Sequence, residues 1–176
     1  MKKEIQSSKI ILFDLGNTLE NTKKEVLLPG ALKTLQATNT MRDSNGRVPI
    51  LALVSDFDMP ESSAQITAIQ QRYFDILDRL GIRLFFEPVS KRVTLSTEVG
   101  VFKPDKKIFQ AVLKKLDGHS SFKNVLFITE NLDHVQKARL LKMKAIHFKG
   151  PGETSGDVDK LVNLIPLIKK FIEAPP

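Results

Sequence analysis

Short apolar runs alternate along the chain with stretches in which apolar residues recur every three or four positions, the pattern of strands interleaved with amphipathic helices. Lys9 to Phe13 is the first apolar run. It is closed by Asp14-Leu15-Gly16-Asn17 and predicts a buried parallel strand ending in a turn. Pro29 opens a helix with Leu32 and Leu35 on one face, and the turn-forming residues between Thr38 and Arg47 predict a loop. A second buried strand, Ile50 to Val54, stops at Ser55. Helical spacing returns from Ser62 to Leu80 through Ile66, Ile69, Tyr73, Ile76, Leu77 and Leu80, and Gly81 ends it. Arg92 to Thr97 reads as a third strand, Pro104 to Leu116 as a helix, Val125 to Ile128 as a fourth strand, Asp133 to Met143 as a helix and Lys144 to Phe148 as a fifth strand. Asp157 to Ile172 predicts a closing helix kinked at Pro166. This alternation implies an α/β fold of three layers, a doubly wound parallel sheet of about five strands with helices on both faces. With 176 residues, no repeats and no linker-like stretch, one domain over 1–176 is expected.

Composition narrows the chemistry. The absence of cysteine excludes disulfides, thiolate metal sites and thiol nucleophiles, and His119, His134 and His147 are too scattered for a helical zinc pair. What remains is carboxylate, hydroxyl and amine chemistry. The net charge of +7 favours an anionic partner. The densest basic stretch holds Lys137, Arg139, Lys142, Lys144 and Lys149 without interleaved aromatic residues, which reads first as a solvated helix face and strand edge and second as a polyanion patch. Nucleic acid therefore stays open as a partner. The polar start Met1 to Ser8 and the stop at Asp14 do not resemble a signal peptide, and no run is long enough to span a bilayer, so a cytoplasmic protein away from membranes is expected.

In an open parallel sheet, ligands bind beyond the carboxyl ends of the strands. Four polar residues stand at such places: Asp14 after the first strand, Ser55 after the second, Lys103 in Val99-Gly100-Val101-Phe102-Lys103-Pro104-Asp105, and Glu130 after Val125 to Thr129. Converging on one crevice, the two carboxylates could hold a hard divalent cation while Lys103 and Ser55 bind phosphate oxygens. Each residue also has a simpler reading. Asp14 and Ser55 could cap turns or helices, Lys103 could be an ordinary surface lysine, and Glu130 and the loop acids Asp56 and Asp58 could be solvated charges. Phe85-Phe86 reads as core or an oligomer contact, and His134 as an exposed residue in the first turn of its helix.

Four segments together resemble the haloacid dehalogenase (HAD)-like hydrolase superfamily, most of whose members are magnesium-dependent phosphatases. They are Ile11-Leu12-Phe13-Asp14-Leu15-Gly16-Asn17-Thr18-Leu19, Leu53-Val54-Ser55, Val99 to Asp105 with Ile108-Phe109 behind it, and Phe127-Ile128-Thr129-Glu130-Asn131. The resemblance implies that Asp14 is the nucleophile, forming an aspartyl phosphate, and that Ser55 hydrogen-bonds the transferring group. It implies that Lys103 neutralises phosphate charge and that backbone groups around Leu15, Gly16, Asn17 and Asp56 help to cradle the phosphate. Mg2+ would be held by the Asp14 carboxylate, the Gly16 carbonyl and Glu130.

This chain departs from the family pattern twice. Catalytic members carry a second Asp two residues after the nucleophile as acid and base, where this chain has Gly16. The metal position of the fourth motif is Glu130 rather than Asp, with Asn131 and Asp133 close by to assist. A weakened phosphatase or phosphotransferase is therefore expected, the alternative being an impaired module that binds phosphate or a protein. Asp14 and Ser55 are 41 residues apart and Ser55 and Lys103 are 48 apart, too few for a large cap. The capless site would be open, and in this family that implies a macromolecular substrate or a neighbouring subunit as lid, although a small phosphorylated substrate also fits.

Overall fold

All four residues of β1 (Ile10–Phe13) are buried, because side chains on both faces of this strand point into core. The computed structural model describes residues 8–175, and the reading of Met1 to Ser7 as polar and unlike a signal peptide lies outside them. After β1 the chain forms a hairpin of β2 (Glu20–Asn21) and β3 (Val26–Leu27), then α1 (Ala31–Thr40) and β4 (Ile50–Ser55). Next come α2 (Ile66–Arg79), the single turn α3 (Val89–Arg92), β5 (Val93–Leu95), α4 (Ser96–Val99) and α5 (Lys106–Leu116). The chain finishes with β6 (Val125–Thr129), α6 (Leu132–Leu140), β7 (Lys144–His147) and α7 (Leu164–Glu173).

The main sheet has the order β5-β4-β1-β6-β7 with every pair parallel, Ile10 lying between Ile50 and Val125. The order runs outward from β1 to β5 and then reverses across β1 to β6, which opens a crevice at the carboxyl ends of the central strands. Ile11, Phe13, Leu51, Leu53 and Ile128 face a core that includes Leu35 of α1, Tyr73 and Leu77 of α2, and Ile168 and Phe171 of α7. Ile10, Leu12, Val54, Val125 and Phe127 face Ile108, Phe109 and Val112 of α5 and Ala138 of α6. Phe109 and Phe127 meet edge to face, with centroids 5.4 Å apart. Phe85 and Phe86 are buried in the first of these cores. No helix among the described residues is long and apolar enough to cross a membrane.

Several boundaries differ from the sequence expectation, α6 for one ending at Leu140 rather than Met143. The third strand is Val93–Leu95 alone, because the Ser96 and Thr97 hydroxyls donate to the Phe57 and Asp58 carbonyls at 2.9 and 2.7 Å and draw the chain off the sheet into α4. α1 continues to Thr40, into the start of the expected loop, whose remainder is as expected. Its threonines are internally satisfied, Thr34 Oγ1 donating to the Leu161 carbonyl and Thr38 Oγ1 to that of Thr34. α7 begins at Leu164 rather than Asp157, and Pro166 sits in its first turn, where an N–H has no intrahelical partner to lose. Pro166 therefore starts the helix instead of kinking it. α1 starts behind Gly30, whose φ of 86° and tight fit, with a Cβ only 2.9 Å from Val162 Cγ1, both require glycine.

Candidate active site

Asp14, Ser55, Lys103 and Glu130 line one cleft of about 430 Å³ at the carboxyl edge of the sheet. Asp14 leaves the end of β1, and its carboxylate is fixed from three sides. Oδ1 accepts the Leu15 N–H at 2.9 Å, while Oδ2 pairs with Lys103 Nζ at 2.6 Å and accepts Thr129 Oγ1–H at 3.1 Å. The Asp14 and Lys103 side chains are 9% and 2% exposed, so the pair is shielded from water. Lys103 also donates to the Val54 carbonyl at 3.2 Å. Its backbone N–H is held at 2.7 Å by Asp56 Oδ1, so the exposed Asp56 fastens the lysine loop to the end of β4. The surface-lysine reading of Lys103 thus gives way to a buried ammonium aimed at Asp14.

Ser55 caps nothing. Its Oγ lies 2.6 Å from the hydroxyl of Tyr73, which is buried in the face of α2. Burial and the charges of Asp14 and Glu20 push the Tyr73 phenol far above its usual range, so it stays protonated. Glu130 follows β6 and is locked by Thr18, whose Oγ1 donates to Oε2 at 2.7 Å and accepts the Glu130 N–H at 3.1 Å. Thr129 Oγ1 lies 3.3 Å from the same Oε2, which places one hydroxyl between the Asp14 and Glu130 carboxylates. Burial first, and then the charge of Asp14, raise the Glu130 carboxyl above its ordinary range.

Among the described residues no three His, Cys, Asp or Glu side chains are gathered as a metal cage. Two carboxylates are still a reasonable protein contribution for Mg2+, which keeps several waters. The donors are hard oxygens, and Glu130, unlike Asp14, has no cation paired with it, so the residues present fit such an ion. Gly16 lies in the turn lining the cleft, and a Cβ there would meet only the Thr22 methyl, at 3.1 Å. Asn131 lines the cleft and caps α6 by accepting the His134 N–H at 3.2 Å. Asp133 lines a neighbouring depression instead, and Asp58 is paired with Arg72 at 2.9 Å outside the cleft.

His134 overturns the expectation of an exposed residue. It is 8% exposed, lines the cleft, and its Nδ1 is buried without a hydrogen-bond partner. Burial, and then the charge of Lys103, lower its pKa below the ordinary histidine value. On the far wall of the cleft, Arg79 and Glu25 carry no signal in the sequence either. Arg79, the last residue of α2, contacts Glu25 and comes within 3.8 Å of Glu20, both from the hairpin after β1. Burial raises the Glu20 carboxyl and Arg79 opposes that rise. One signal for Tyr73 was available: it is the single tyrosine of the chain, set on an apolar stripe where a buried hydroxyl needs a partner.

No protein-family model matches the chain, and no curated protein matches its sequence. Solved structures do. The HAD-hydrolase YfnB from Bacillus subtilis, determined bound to magnesium, is similar over 93% of this chain and 99% of its own, with a TM-score of 0.68 and 12% identity. A HAD-superfamily hydrolase from Ehrlichia chaffeensis is similar over 95% of this chain and 100% of its own, with a TM-score of 0.65 and 15% identity. D,D-heptose 1,7-bisphosphate phosphatase from Burkholderia thailandensis is similar over 95% and 100%, with a TM-score of 0.51 and 14% identity. At such identities the likeness is one of fold, and the fold of this chain is that of the HAD-superfamily hydrolases.

Proposed function

We propose that this protein is a magnesium-dependent phosphatase or phosphotransferase that works through Asp14. The observation that carries the reading is the buried Asp14–Lys103 pair, with Glu130 joined to it through Thr129, lining a cleft on the carboxyl edge of the sheet. Asp14 is held by its three partners to attack phosphorus. The P–O ester bond breaks toward the leaving group and an aspartyl phosphate remains. Water then attacks that phosphorus, releasing phosphate and the free carboxylate, and an acceptor alcohol in its place gives phosphotransfer. Lys103 offsets phosphoryl charge from within the cleft, and the Ser55 hydroxyl, oriented by Tyr73, hydrogen-bonds a phosphoryl oxygen. Asp14 and Glu130 would hold a divalent cation, which would supply charge neutralisation for the phosphoryl group. The open cleft suits a macromolecular phosphate ester, or a small one enclosed by a neighbouring subunit.

Phosphorylated compounds assayed with and without magnesium test this reading. Turnover should require the metal and vanish in Asp14→Asn, and beryllium fluoride should trap wild type at Asp14. Undiminished turnover in the Asn variant would sink the covalent mechanism. Gly16 supports a second reading, a phosphate-binding or protein-interaction module, and a wild type that binds phosphate but hydrolyses no ester would favour it.

A further inference from the structure

Cleavage of an alkyl phosphate leaves an alkoxide, a poor leaving group unless a positioned acid protonates it. The acids around the cleft are not equally free to do so. Glu130 is tied to Thr18 and Thr129, and Asp56 is exposed and spends Oδ1 on the Lys103 N–H. Glu25 is 63% exposed and paired with Arg79, and the Tyr73 hydroxyl is engaged by Ser55. Glu20 differs from all of these. Its side chain is 9% exposed and lines the cleft with Asp14, and no described residue donates a hydrogen bond to it, the cation beside it being Arg79 at 3.8 Å. Its place is set by the backbone: the Glu20 N–H donates to the Leu15 carbonyl at 3.0 Å, and residue 20 bridges to the turn that follows Asp14. A carboxyl on the hairpin therefore stands beside the turn after the nucleophile, where residue 16 brings no side chain of its own.

We infer that Glu20 is the proton donor to the leaving group, so that alkyl and sugar phosphates are within reach of this site. The inference rests on the phosphatase reading above. As Asp14 attacks and the ester P–O bond breaks, the electron pair goes to the ester oxygen, which takes the proton of the Glu20 carboxyl and departs as an alcohol. Glu20 is left as a carboxylate beside Arg79. When water attacks the aspartyl phosphate it gives its proton to Glu20, which restores the acid and frees phosphate. Glu25 is the other charge acting on this carboxyl, Asp14 lines the same cleft, and Arg79, shared between Glu20 and Glu25, offsets the charge left on Glu20.

The test compares an alkyl phosphate with nitrophenyl phosphate, whose leaving group tolerates negative charge, in wild type, Glu20→Gln and Glu20→Gln/Gly16→Asp, with magnesium present. Glu20→Gln should slow the alkyl ester by about a hundred- to ten-thousandfold and the nitrophenyl ester far less, so the ratio of the two rates falls steeply. Aspartate at position 16, which needs only the Thr22 methyl to yield, should bring the ratio back toward wild type. Circular dichroism and melting of each variant separate lost folding from lost chemistry, with Glu20→Asp as a second variant should the glutamine form not fold. An equal slowing of both esters, or none, overturns the role of Glu20 while the phosphatase reading stands. A wild type inert on both overturns that reading and the inference with it.

Discussion

His134 carries a consequence for stability that its neighbours on α6 do not. Burial and Lys103 hold its imidazole neutral in the folded protein at a pH where the unfolded chain, near the ordinary value of about 6.5, already takes up a proton. Below that pH the unfolded state binds more protons than the native one, so stability falls as pH falls. His134→Gln removes this contribution. Urea unfolding from pH 7 to pH 5 should show wild type losing more stability than the variant, and parallel losses would mean that His134 protonates equally in both states. Lys103 illustrates the opposite balance. With Asp14 only 9% exposed, Lys103→Ala would leave a shielded carboxylate without its cation, a change of the kind that costs about 3–5 kcal/mol.

At the scale of elements, the site is built where segments distant in sequence are forced together. The strands β1 and β6 bring Asp14 and Thr129 into contact across 115 positions, and the turn after β1 meets Glu130 through Thr18 across 112. The loop leaving β7 closes the arrangement at Gly150. A Cβ there would lie 2.9 Å from both the Asn17 carbonyl oxygen and Glu130 Cβ, so backbone as well as side chain would have to shift. Gly150→Ala should therefore cost about 1–3 kcal/mol, as overpacking does, and disturb Glu130 in particular. Thermal denaturation measures the first effect and the magnesium requirement of turnover the second. A variant as stable as wild type would mean that this loop moves aside freely.

For the whole molecule, the sheet carries a hydrophobic core on each face, and a ligand that binds only the native state should stabilise the fold by mass action. Magnesium is expected to raise the melting temperature in a concentration-dependent way, and Glu130→Ala to abolish that rise, while Gly46→Ala, whose Cβ would meet nothing within 4 Å, keeps the rise on a melting temperature lowered by its φ of 76°. A Glu130 variant that responds like wild type would place the cation elsewhere. The net charge of +7 acts at the same scale. Lys137, Arg139, Lys142, Lys144 and Lys149 are all exposed along α6, β7 and the connections beside them, with Arg139 paired to Asp157 at 3.0 Å.

The alternation of apolar runs and helical spacing was enough to predict the layered parallel sheet, because burial on one face or two is a local property that each segment records in its own periodicity. The same locality made Asp14, Ser55 and Glu130 legible: a residue at or directly after the end of a buried strand must emerge at the strand's carboxyl end, whatever the rest of the chain does, whereas Lys103 lies beyond α4 and reaches Asp14 only through tertiary packing. What those residues touch is not local. The Ser55–Tyr73 hydrogen bond, the Thr129 hydroxyl between two carboxylates and the Arg79 contacts with Glu20 and Glu25 join residues from separate elements, and nothing in the spacing of any one of them specifies its partner. Tertiary packing likewise ended β5 at Leu95, carried α1 to Thr40 and buried His134, because side-chain hydrogen bonds to distant backbone and the closing of helices over the sheet override local preference.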